Sequence, residues 1–433
     1  MLVLLTGATG FLGARLATLL LAQGHRVLAA GRRPAADPRI GFIHADFAHD
    51  SEKSAWLARL TGVDAVINTV GIIRETPGQT FAALHTDTPK ALFAACVDAR
   101  VKLVIQMSAL GADEGAATPY HRSKKMADDY LAALPLRSRI VQPSLVYGDD
   151  GASSKLFRTV ATMPFAVAFG SAPQAVQPIH VDDACQAIAA LLDDRAPPRS
   201  QRVALVGPAP LPFTGYLSAL RRGMGLGRLP VLRLPTAVAR LVARLGAMVP
   251  GSPLTPDALQ MLERGNTADP AATVQLLGRP PRPVEKFVNH PQAARTAAQL
   301  GWLLPLLRVT IAFVWIWTAI VSAFGYPVDD SYALLARTGI PLALAPLMLY
   351  GASALDLLFG LGTLLLPRTV RPWLWLAQLL LVGFYTVVIA LRLPEFVWHP
   401  YGPLSKNLPM LAAIWLLYEL EKPAAGAAAR SGA

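Results

Sequence analysis

The last third of the chain carries uncharged stretches long enough to cross a lipid bilayer. Trp373–Leu391 has 19 residues without a charge and Val309–Phe324 has 16. Ile340–Leu366 contains one acid, Asp356. About 20 apolar residues, each adding about 1.5 Å, span the hydrocarbon core. We therefore expect three transmembrane helices and a fourth, shorter one at residues 402–420.

The charges of the loops between these stretches predict their orientation. The loop before the third stretch holds Arg368 and Arg371 and no acid, which is typical of a cytoplasmic loop. The loop after the first stretch holds Asp329 and Asp330 against Arg337, which suits the outer side. Four spans would put both chain ends in the cytoplasm, in a multi-pass protein of the inner (cytoplasmic) membrane.

Before residue 300 the hydrophobic runs are short and interrupted by charges, as in a domain folded in water. The hydrophobic share of 53% excludes a disordered chain, and two cysteines are too few for a disulfide scaffold or a zinc cluster. We predict no metal site. The net charge of +12 suits a phosphorylated cofactor or an anionic membrane surface. Arginine-rich stretches lack interleaved aromatic residues, so we expect no nucleic-acid partner.

The chain opens with a strand, a glycine-rich turn and a helix. Leu2–Leu5 is a buried-strand pattern, TGATGFLG follows at 6–13, and an apolar helical pattern covers 14–21. In a dinucleotide-binding fold the three glycines permit the turn, the approach of a pyrophosphate and close packing of helix on strand. The diphosphate would lie on the free N–H groups of the helix. The predicted contacts are Gly7, Thr9, Gly10, Phe11, Leu12 and Gly13.

The end of the second predicted strand, 26–30, bears on the choice between NAD and NADP. A site that prefers NAD places an acid there for the ribose 2′-hydroxyl. This chain has Arg32 and Arg33 instead, and two guanidinium groups suit a 2′-phosphate. We expect NADP in preference to NAD; the alternative is that one or both arginines are simply solvated.

Further strand patterns at 41–45, 65–70, 102–107 and 139–141 alternate with helical ones. This alternation predicts an α/β fold of the Rossmann type, a doubly wound parallel sheet with helices on both faces. The expected domains are 1–150 for the cofactor, 151–298 for the rest of the sheet and a small substrate domain, 299–423 for a membrane bundle of about four helices, and 424–433 for a disordered tail.

Several motifs in a fixed order carry a family resemblance. After the glycine turn come Asp46, NTVG at 68–71, Ser108, YHRSK at 120–124, QPSLVYG at 142–148 and QPIHVDD at 177–183. With them the chain up to about residue 291 resembles the extended and atypical short-chain dehydrogenase/reductase superfamily, which includes NAD-dependent epimerases and dehydratases. SALGAD at 108–113, LTPDALQML at 254–262 and LLGRPPRP at 276–283 resemble its branch with the dehydrogenase-like accessory subunit of respiratory complex I.

The part of the chain after about residue 300, including HPYGPLSKNLP at 399–409, resembles the DoxX-like family of four-helix membrane proteins. The two resemblances together imply a membrane-anchored oxidoreductase with a lipophilic substrate such as a quinone, isoprenoid or lipid intermediate. The first resemblance also implies further cofactor contacts beyond the glycine turn. These contacts are Asp46 at the adenine ring, Phe47, Asn68, Gly71, Lys124 and Pro143.

Hydride transfer to a carbonyl also needs a proton for the developing alkoxide. Tyr120 can supply it if its pKa falls from about 10 toward neutrality, which a nearby ammonium promotes. Lys124 lies one helical turn later on the same face, and the resemblance also assigns it the nicotinamide ribose. Ser108 would hydrogen-bond the substrate oxygen, as in the family. These three residues form the predicted catalytic set.

Two positions depart from the family pattern. His85 stands where many relatives have an asparagine that steers a proton-relay water; it replaces that asparagine or is an ordinary helix-start histidine. Gln142 stands where extended members commonly have an arginine, which counts against a nucleotide-sugar substrate. Some complex I relatives have lost catalysis and kept the cofactor.

Two elements leave alternatives open. Leu234–Val249 is a basic amphipathic helix that packs on the substrate domain or lies on the inner leaflet. Asp356 is costly inside lipid, so it would pair with Arg308, line a polar cavity, or serve a quinone or proton site.

Three functions follow from these observations. The first is the membrane-anchored oxidoreductase. The second is a non-catalytic NADPH-binding module that stabilises or assembles a respiratory or lipid-synthesis complex. The third is a nucleotide-sugar epimerase or dehydratase, which shows no net consumption of cofactor. The expected partners are a small, lipophilic substrate, membrane lipids and a membrane-protein complex.

Overall fold

The computed structural model of the chain describes residues 1–169, 174–193, 201–248 and 255–422. The chain divides into two compact units, Met1–Gln299 and Leu300–Ala433. The predicted disordered tail at 424–433 and the end of the predicted amphipathic helix, Val249, lie outside the described residues.

The strands all belong to the first unit. They are β1 (Leu2–Thr6), β2 (Arg26–Gly31), β3 (Gly41–His44), β4 (Ala65–Asn68), β5 (Leu103–Met107), β6 (Ser138–Pro143), β7 (Val146–Tyr147), β8 (Ala166–Phe169), β9 (Ala175–Val176), β10 (Ile179–His180), β11 (Arg202–Leu205), β12 (Leu211–Pro212) and β13 (Val231–Leu234).

Seven of these strands form one sheet in the order β11-β6-β5-β4-β1-β2-β3, and every pair in it is parallel. The predicted doubly wound parallel sheet is confirmed. The chain proceeds outward from the centre in opposite directions on the two sides of the β1–β4 pair. The loops after β1 and β4 therefore border a crevice at their carboxyl ends, where ligands of such sheets bind.

The helices of the first unit are α1 (Phe11–Ala22), α2 (Ser54–Leu57), α3 (Thr88–Asp98), α4 (Pro119–Ala133), α5 (Ala152–Thr162), α6 (Val181–Ala190), α7 (Phe213–Gly223), α8 (Thr236–Ala247), α9 (Pro256–Arg264) and α10 (Ala271–Leu277). They are followed by α11 (Pro291–Ile320), α12 (Val328–Arg337), α13 (Ala345–Leu365), α14 (Arg371–Arg392) and α15 (Asn407–Glu421). A π-helical turn, Ala82–Asp87, precedes α3.

Helices cover both faces of the sheet because successive strand side chains alternate between them. Val3 and Leu5 of β1 belong to a core that includes residues of α1, α6 and α10, whereas Leu4 belongs to the core under α2, α3 and α4. Strands buried on both faces need continuous apolar sequences, which β1, β4 and β5 have.

Buried Asp183, near the start of α6, holds the LLGRPPRP stretch in place. Its carboxylate accepts hydrogen bonds from the Arg279 guanidinium and the Arg282 backbone N–H, both at 2.6 Å. These hydrogen bonds fasten LLGRPPRP, which follows from the end of α10, to α6 on one face of the sheet.

Helix α8 is amphipathic, as predicted, but its leucines do not pack into the first unit. It buries Ala239 and Ala243, whereas Val238, Leu241 and Leu245 are 41%, 57% and 55% exposed. Two small residues therefore make the inward contact, and the placement of α8 on the inner leaflet stays a prediction.

The second unit holds the apolar helices. Within the described residues, three segments are long and apolar enough to cross a membrane: Pro291–Gly325, Leu342–Leu365 and Arg371–Arg392. The predicted fourth span is not among them, because α15 has 15 residues and a helix of that length reaches only about 22 Å of a core about 30 Å thick.

The predicted pairing of Asp356 with Arg308 is wrong. The Arg308 guanidinium lies 3.7 Å from the carboxylate of Glu421, at the end of α15. Asp356 is buried on α13, and one of its carboxylate oxygens has no hydrogen-bond partner within the described part of the chain. The proton-site or quinone-site alternative for Asp356 stays a prediction.

Candidate functional site

The glycine turn after β1 is too tightly packed for larger residues at two positions. Gly7 has a φ of +72°, in the left-handed region that glycine favours, and a Cβ there would lie 2.7 Å from Thr69 Oγ1. A Cβ on Gly13 would lie 2.1 Å from the Gly7 carbonyl oxygen. The turn and the close contact of α1 with β1 therefore depend on these two glycines.

Helix α1 begins next to the crevice without a capping side chain. Gly10 precedes it, and no side chain accepts a hydrogen bond from its first N–H groups. Thr9 and Gly10 are exposed. Free N–H groups at the positive end of a helix bind phosphate. The turn therefore fits the pyrophosphate of a dinucleotide.

Phe11 and Leu12 are two further predicted cofactor contacts. The Phe11 ring and the Leu12 carbonyl are already engaged within the protein. A Cβ on Gly148 would lie 2.8 Å from the Phe11 ring, so the ring fills the space beneath that loop. The Leu12 carbonyl accepts a 3.8 Å hydrogen bond from the Cys185 thiol. The backbone N–H groups of the two residues are the groups left for a cofactor.

Arg32 and Arg33 follow β2 directly and are exposed. The terminal nitrogens of Arg32 lie 3.2 and 3.3 Å from the side-chain amide oxygen of Gln79, in the amide orientation that satisfies both groups. Arg32 is thus held at the carboxyl end of β2, where a ribose 2′ substituent would be recognised.

Asp46 follows β3 and is only partly buried. Burial would raise the pKa of its carboxyl, but the Ala48 N–H, His49 and Arg32 together hold that pKa below its usual range. The side chain of Phe47 lies in the core, edge-on to Trp56 with ring centroids 5.4 Å apart. Asp46 therefore presents a carboxylate at the rim, while Phe47 has only its backbone N–H to offer.

Asn68 is fully buried and bridges three strands. Its amide oxygen accepts a 2.6 Å hydrogen bond from Thr6, and its amide nitrogen donates one of 2.7 Å to Gln106. Its oxygen also accepts from the Val70 N–H at 3.2 Å. Asn68 therefore supports the loop that borders the crevice from below.

One face of α4 brings together three titratable side chains at successive helical turns: Tyr120, Lys124 and Asp128. Lys124 is 4% exposed, and its Nζ donates to the carbonyls of Met107 at 3.0 Å and Val70 at 3.3 Å. The ammonium is therefore anchored at the ends of β4 and β5 and retains a third N–H.

Asp128 is a site residue that the sequence reasoning missed. It is fully buried, and the hydroxyl of Ser108, the residue after β5, donates a short hydrogen bond to it. Burial raises the pKa of Asp128 to about 7, although Ser108 and Lys124 act to lower it. Burial lowers the pKa of Lys124 to about 8, opposed by the charge of Asp128. Asp128 lies four residues after Lys124, and this helical spacing is the feature of the sequence that could have identified it.

The prediction that the pKa of Tyr120 falls toward neutrality is not met in this structure. Burial, and then the charge of Asp128, raise it to about 12. Within the described residues the Tyr120 hydroxyl makes no hydrogen bond. Tyr120 is thus in its protonated form at neutral pH.

His85 lies in the π-helical turn and holds two parts of the site together. Its Nε2 accepts from the Ile72 N–H at 2.9 Å, and its Nδ1 lies 2.9 Å from the Ser123 hydroxyl. Burial, then the charge of Lys124, lower its pKa to about 2. Both nitrogens are used within the protein, which favours a structural histidine over a proton-relay residue.

The remaining predicted contact residues border the same crevice. Gly71 is exposed, and a Cβ there would lie 3.0 Å from Lys124 Nζ. Pro143 ends β6, and its carbonyl accepts from the Leu110 N–H at 3.0 Å. Gln142 donates to the Ala112 carbonyl at 3.2 Å. These contacts connect β6 to the loop after Ser108.

Arg264, at the end of α9, holds that loop from the other side. It donates to the carbonyls of Gly111 and Gly115 at 2.8 and 3.0 Å and pairs with Asp113 at 2.5 Å. Arg264 follows the LTPDALQML stretch on α9 by two residues, and Gly111 and Asp113 belong to SALGAD, so the end of α9 contacts one of the stretches behind the family resemblance.

Comparison with known proteins agrees with this architecture. Residues 3–207 match the NAD dependent epimerase/dehydratase family, and residues 312–415 match the DoxX-like family. The first unit thus contains a nucleotide-binding domain of the Rossmann class. More particularly, the chain joins an epimerase/dehydratase-like NAD-binding domain to a DoxX-like membrane domain, which confirms both predicted resemblances.

Two curated relatives cover part of the chain. It is 29% identical over 191 residues to a ceramide reductase of Caulobacter vibrioides, covering 43% of this chain and 60% of the relative. It is 28% identical over 212 residues to the mitochondrial NADH dehydrogenase (ubiquinone) 1 alpha subcomplex subunit 9 of Arabidopsis thaliana, covering 47% and 52%. The chain therefore spans less than two thirds of either protein.

Solved structures show the same fold. A nucleoside-diphosphate-sugar epimerase from Staphylococcus aureus has a TM-score of 0.53 at 15% identity, covering 67% of this chain and 100% of that one. UDP-glucose 4-epimerase from Thermotoga maritima, with UDP-glucose, has a TM-score of 0.51 at 15% identity, covering 70% and 100%. At these identities the likeness concerns architecture alone.

Proposed function

We propose that this chain is a membrane-anchored oxidoreductase that uses NADP(H) to transfer a hydride at the carbonyl or alcohol carbon of a lipophilic substrate. The observation that carries the proposal is the α4 face, on which Tyr120 and Lys124 lie at successive turns. Asp128 on that face accepts the hydrogen bond of Ser108. This arrangement supports the proposal, because a proton donor, an ammonium and a hydroxyl lie along one helical face.

When bound, the nicotinamide ring supplies or accepts the hydride. In the reductive direction the substrate carbon gains the hydride, and Tyr120 gives its hydroxyl proton to the substrate oxygen. The raised pKa of Tyr120 keeps that proton in place at neutral pH, as a general acid requires. Ser108 would orient the substrate oxygen by turning its hydroxyl proton from Asp128 to it, and the free N–H of Lys124 is left for the ribose.

The substrate class is supported by the membrane domain and by the similarity to a ceramide reductase. The direct test is NADPH oxidation at 340 nm by the full-length protein in detergent, against a panel of quinones, lipid ketones and ceramide-type lipids. Turnover that Tyr120→Phe reduces at least about a hundredfold supports the proposal. Turnover unchanged in Tyr120→Phe contradicts it.

The preference for NADP is supported by the position of Arg32 at the end of β2. We expect Arg32→Gln to weaken NADPH binding about tenfold and NADH binding little, because only the former carries a 2′-phosphate. Arg26→Gln, at the exposed opposite end of the same strand, is the matched control. Equal losses for the two cofactors would contradict the preference.

A non-catalytic NADPH-binding module is the second candidate. The similarity to a complex I subunit supports it. In that case NADPH binds tightly without turnover, and Tyr120→Phe leaves assembly of the membrane complex unchanged. A nucleotide-sugar epimerase would instead convert its substrate without net change at 340 nm.

The location we propose is the inner membrane, with the first unit in the cytoplasm. The Arg368–Arg371 loop supports this side, by the positive-inside rule. Single cysteines placed at Thr369 and at Ser331, in a variant with Cys96 and Cys185 replaced, should react with a membrane-impermeant maleimide from the cytoplasmic and the outer side respectively. The reverse pattern would overturn the orientation.

A further inference from the structure

The second unit contains a polar cavity that the proposed hydride chemistry does not use. It has a volume of about 220 Å³ and lies where α11 and the ends of α14 and α15 meet. Its polar lining consists of Arg308, Arg368, Arg371 and Glu421. Three guanidinium groups thus face one carboxylate.

Glu421 is already shared among several donors. Its Oε1 lies 3.1 Å from Arg371 and 3.7 Å from Arg308, and its Oε2 accepts a 3.1 Å hydrogen bond from the Trp375 indole. The Glu421 side chain is 5% exposed and that of Arg371 is 11% exposed. One buried carboxylate therefore serves two arginines, and Arg368 adds a third positive charge.

Two of these guanidinium groups keep donors without partners. The Nε atoms of Arg308 and Arg371 are buried and make no hydrogen bond to any of the described residues. A buried N–H that has lost water and found no acceptor costs free energy. These two N–H groups lie beneath the cavity surface and add to its positive potential, so the excess of three guanidinium groups over one carboxylate leaves the cavity short of negative charge.

The wall formed by α11 also offers an acceptor. Pro305 lies inside this helix and has no N–H, so the carbonyl of Gly301, four residues earlier, loses its donor within the helix. Both residues line the cavity. A ligand with an anionic group and a hydroxyl would satisfy both kinds of unpaired atom.

Large apolar side chains flank these helix ends. Leu303 and Leu306 on α11 are 40% and 50% exposed, and Trp373 on α14 is 74% exposed. Exposed apolar residues on membrane helices contact acyl chains, and tryptophan prefers the headgroup level. The surroundings therefore suit an amphiphile better than a free ion.

From this geometry we propose that the arginine cavity binds the phosphate group of an anionic lipid. The phosphate oxygens accept hydrogen bonds from Arg308, Arg368 and Arg371, and a headgroup hydroxyl donates to the Gly301 carbonyl. Inorganic phosphate shares the anionic chemistry but lacks the hydroxyl and the acyl chains. The proposal concerns the second unit alone and does not depend on the oxidoreductase assignment.

The test is native mass spectrometry of the full chain in neutral detergent, titrated with phosphatidylglycerol, phosphatidylcholine or inorganic phosphate. We expect retention of phosphatidylglycerol with at least about tenfold preference over phosphatidylcholine. Arg368→Gln should reduce that retention about tenfold by removing one charge-assisted contact, whereas Arg392→Gln, at the other end of α14, should not. Binding of inorganic phosphate with equal affinity would replace the lipid by a free anion and overturn the proposal.

A second variant separates ligand binding from folding. Glu421→Gln leaves Arg308 and Arg371 without their carboxylate, so the melting temperature in neutral detergent should fall. Phosphatidylglycerol should then restore it, since lipid phosphate supplies the missing negative charge, and should bind this variant more tightly than wild type. If phosphatidylglycerol restores nothing, or Arg368→Gln and Arg392→Gln behave alike, the cavity is no lipid site.

Discussion

The two units of this chain differ in the ratio of positive to negative side chains in their buried clusters. In the first unit Lys124 and Asp128, 4% and 0% exposed, contribute one ammonium and one carboxyl on one helical face. In the second unit Glu421 faces three arginines. An uncompensated buried charge is costly. Arg202 lies 3.9 Å from Asp128 and pairs with Asp129, so positive and negative charges are equal in the first cluster, although one Asp128 oxygen lacks a hydrogen-bond partner within the described residues. The second cluster has more positive than negative charge and needs negative charge from outside. The first suits proton transfer to an uncharged group, and the second suits recruitment of an anion.

The largest effect should come from the buried charges of Lys124 and Asp128. Lys124→Met leaves the carbonyls of Met107 and Val70 without their charged donor and removes a positive charge that favours the Asp128 carboxylate, and we expect a loss of about 3 kcal/mol in the free energy of unfolding. Lys125→Met is the control, since Lys125 pairs with Asp129 and Glu114 near the surface and should cost less than about 1 kcal/mol. Urea unfolding followed by circular dichroism measures both. Equal losses in the two variants would show that Lys124 contributes no more to the free energy of unfolding than a surface lysine does.

The second-largest effect should be the change of stability with pH that the buried carboxyl of Asp128 causes. Its folded pKa is raised to about 7 from an ordinary value of 3.8, so this group's contribution to stability is full below about pH 4 and is lost as the pH rises through 7. Between pH 5 and 7 the loss should be about 2 kcal/mol, at about 1.4 kcal/mol per pH unit.

Lys124 does not titrate in that window, because its folded pKa of about 8 lies above it. Asp128→Asn should therefore flatten the pH profile, and Asp129→Asn, the partly exposed neighbour, should leave it unchanged. Buried His85, whose lowered pKa makes its own contribution rise over the same window, is common to both proteins, so the difference between wild type and Asp128→Asn is the quantity to compare. A difference that stays constant from pH 5 to 7 would contradict the assignment.

The arginine cluster around Glu421 should lose less stability when a neutral hydrogen-bond donor is removed. Trp375→Phe removes the indole hydrogen bond to Glu421, and we expect a loss of about 1–2 kcal/mol because the carboxylate keeps its arginines. Trp373→Phe, an exposed position on the same helix, should change little. Thermal unfolding in detergent compares the two, and a Trp375→Phe loss as large as that of Lys124→Met would remove the distinction between the clusters.

The smallest effect on stability should come from the Arg264 contacts around the loop after Ser108. Arg264→Gln should cost less than about 1 kcal/mol, since the ion pair with Asp113 is partly exposed. Amide hydrogens of residues 109–116 should nevertheless exchange about tenfold faster, because the loop loses three hydrogen-bonded anchor points. Arg222→Gln, a solvent-exposed arginine of α7, is the control; unchanged exchange would show that the loop is held by other contacts.

Local spacing explains what the sequence predicted well. Gly7 and Gly13 belong to one eight-residue motif at 6–13. Tyr120 and Lys124 share a face because residues four positions apart lie one helical turn from each other. The apolar stretches after residue 300 predicted the three long membrane helices for the same reason, since span length is read directly from composition. These features need no knowledge of distant contacts.

Features that depend on distant contacts were missed or misjudged. Asp128 became a site residue only because α4 packs beside the end of β5, which brings it to Ser108. Arg308 was assigned to Asp356, but the bundle places it against Glu421, 113 positions further along the chain. The pKa of Tyr120 was expected to follow its neighbour Lys124, whereas burial is the larger influence. Burial is a property of the whole fold and is not encoded in spacing.

The hydrogen bonds that connect Thr6, Asn68 and Gln106 across β1, β4 and β5 have a consequence for how the sheet assembles. In the native register each strand supplies one polar side chain at the same level. A strand displaced by one residue would turn its polar group to the other face and leave its partners buried and unpaired, at about 1–3 kcal/mol each. Apolar strands as uniform as these could otherwise slide past one another with little penalty. The three side chains thus make the native alignment of the strands more stable than alignments displaced by one residue, and the same alignment brings the strand ends level where the crevice forms.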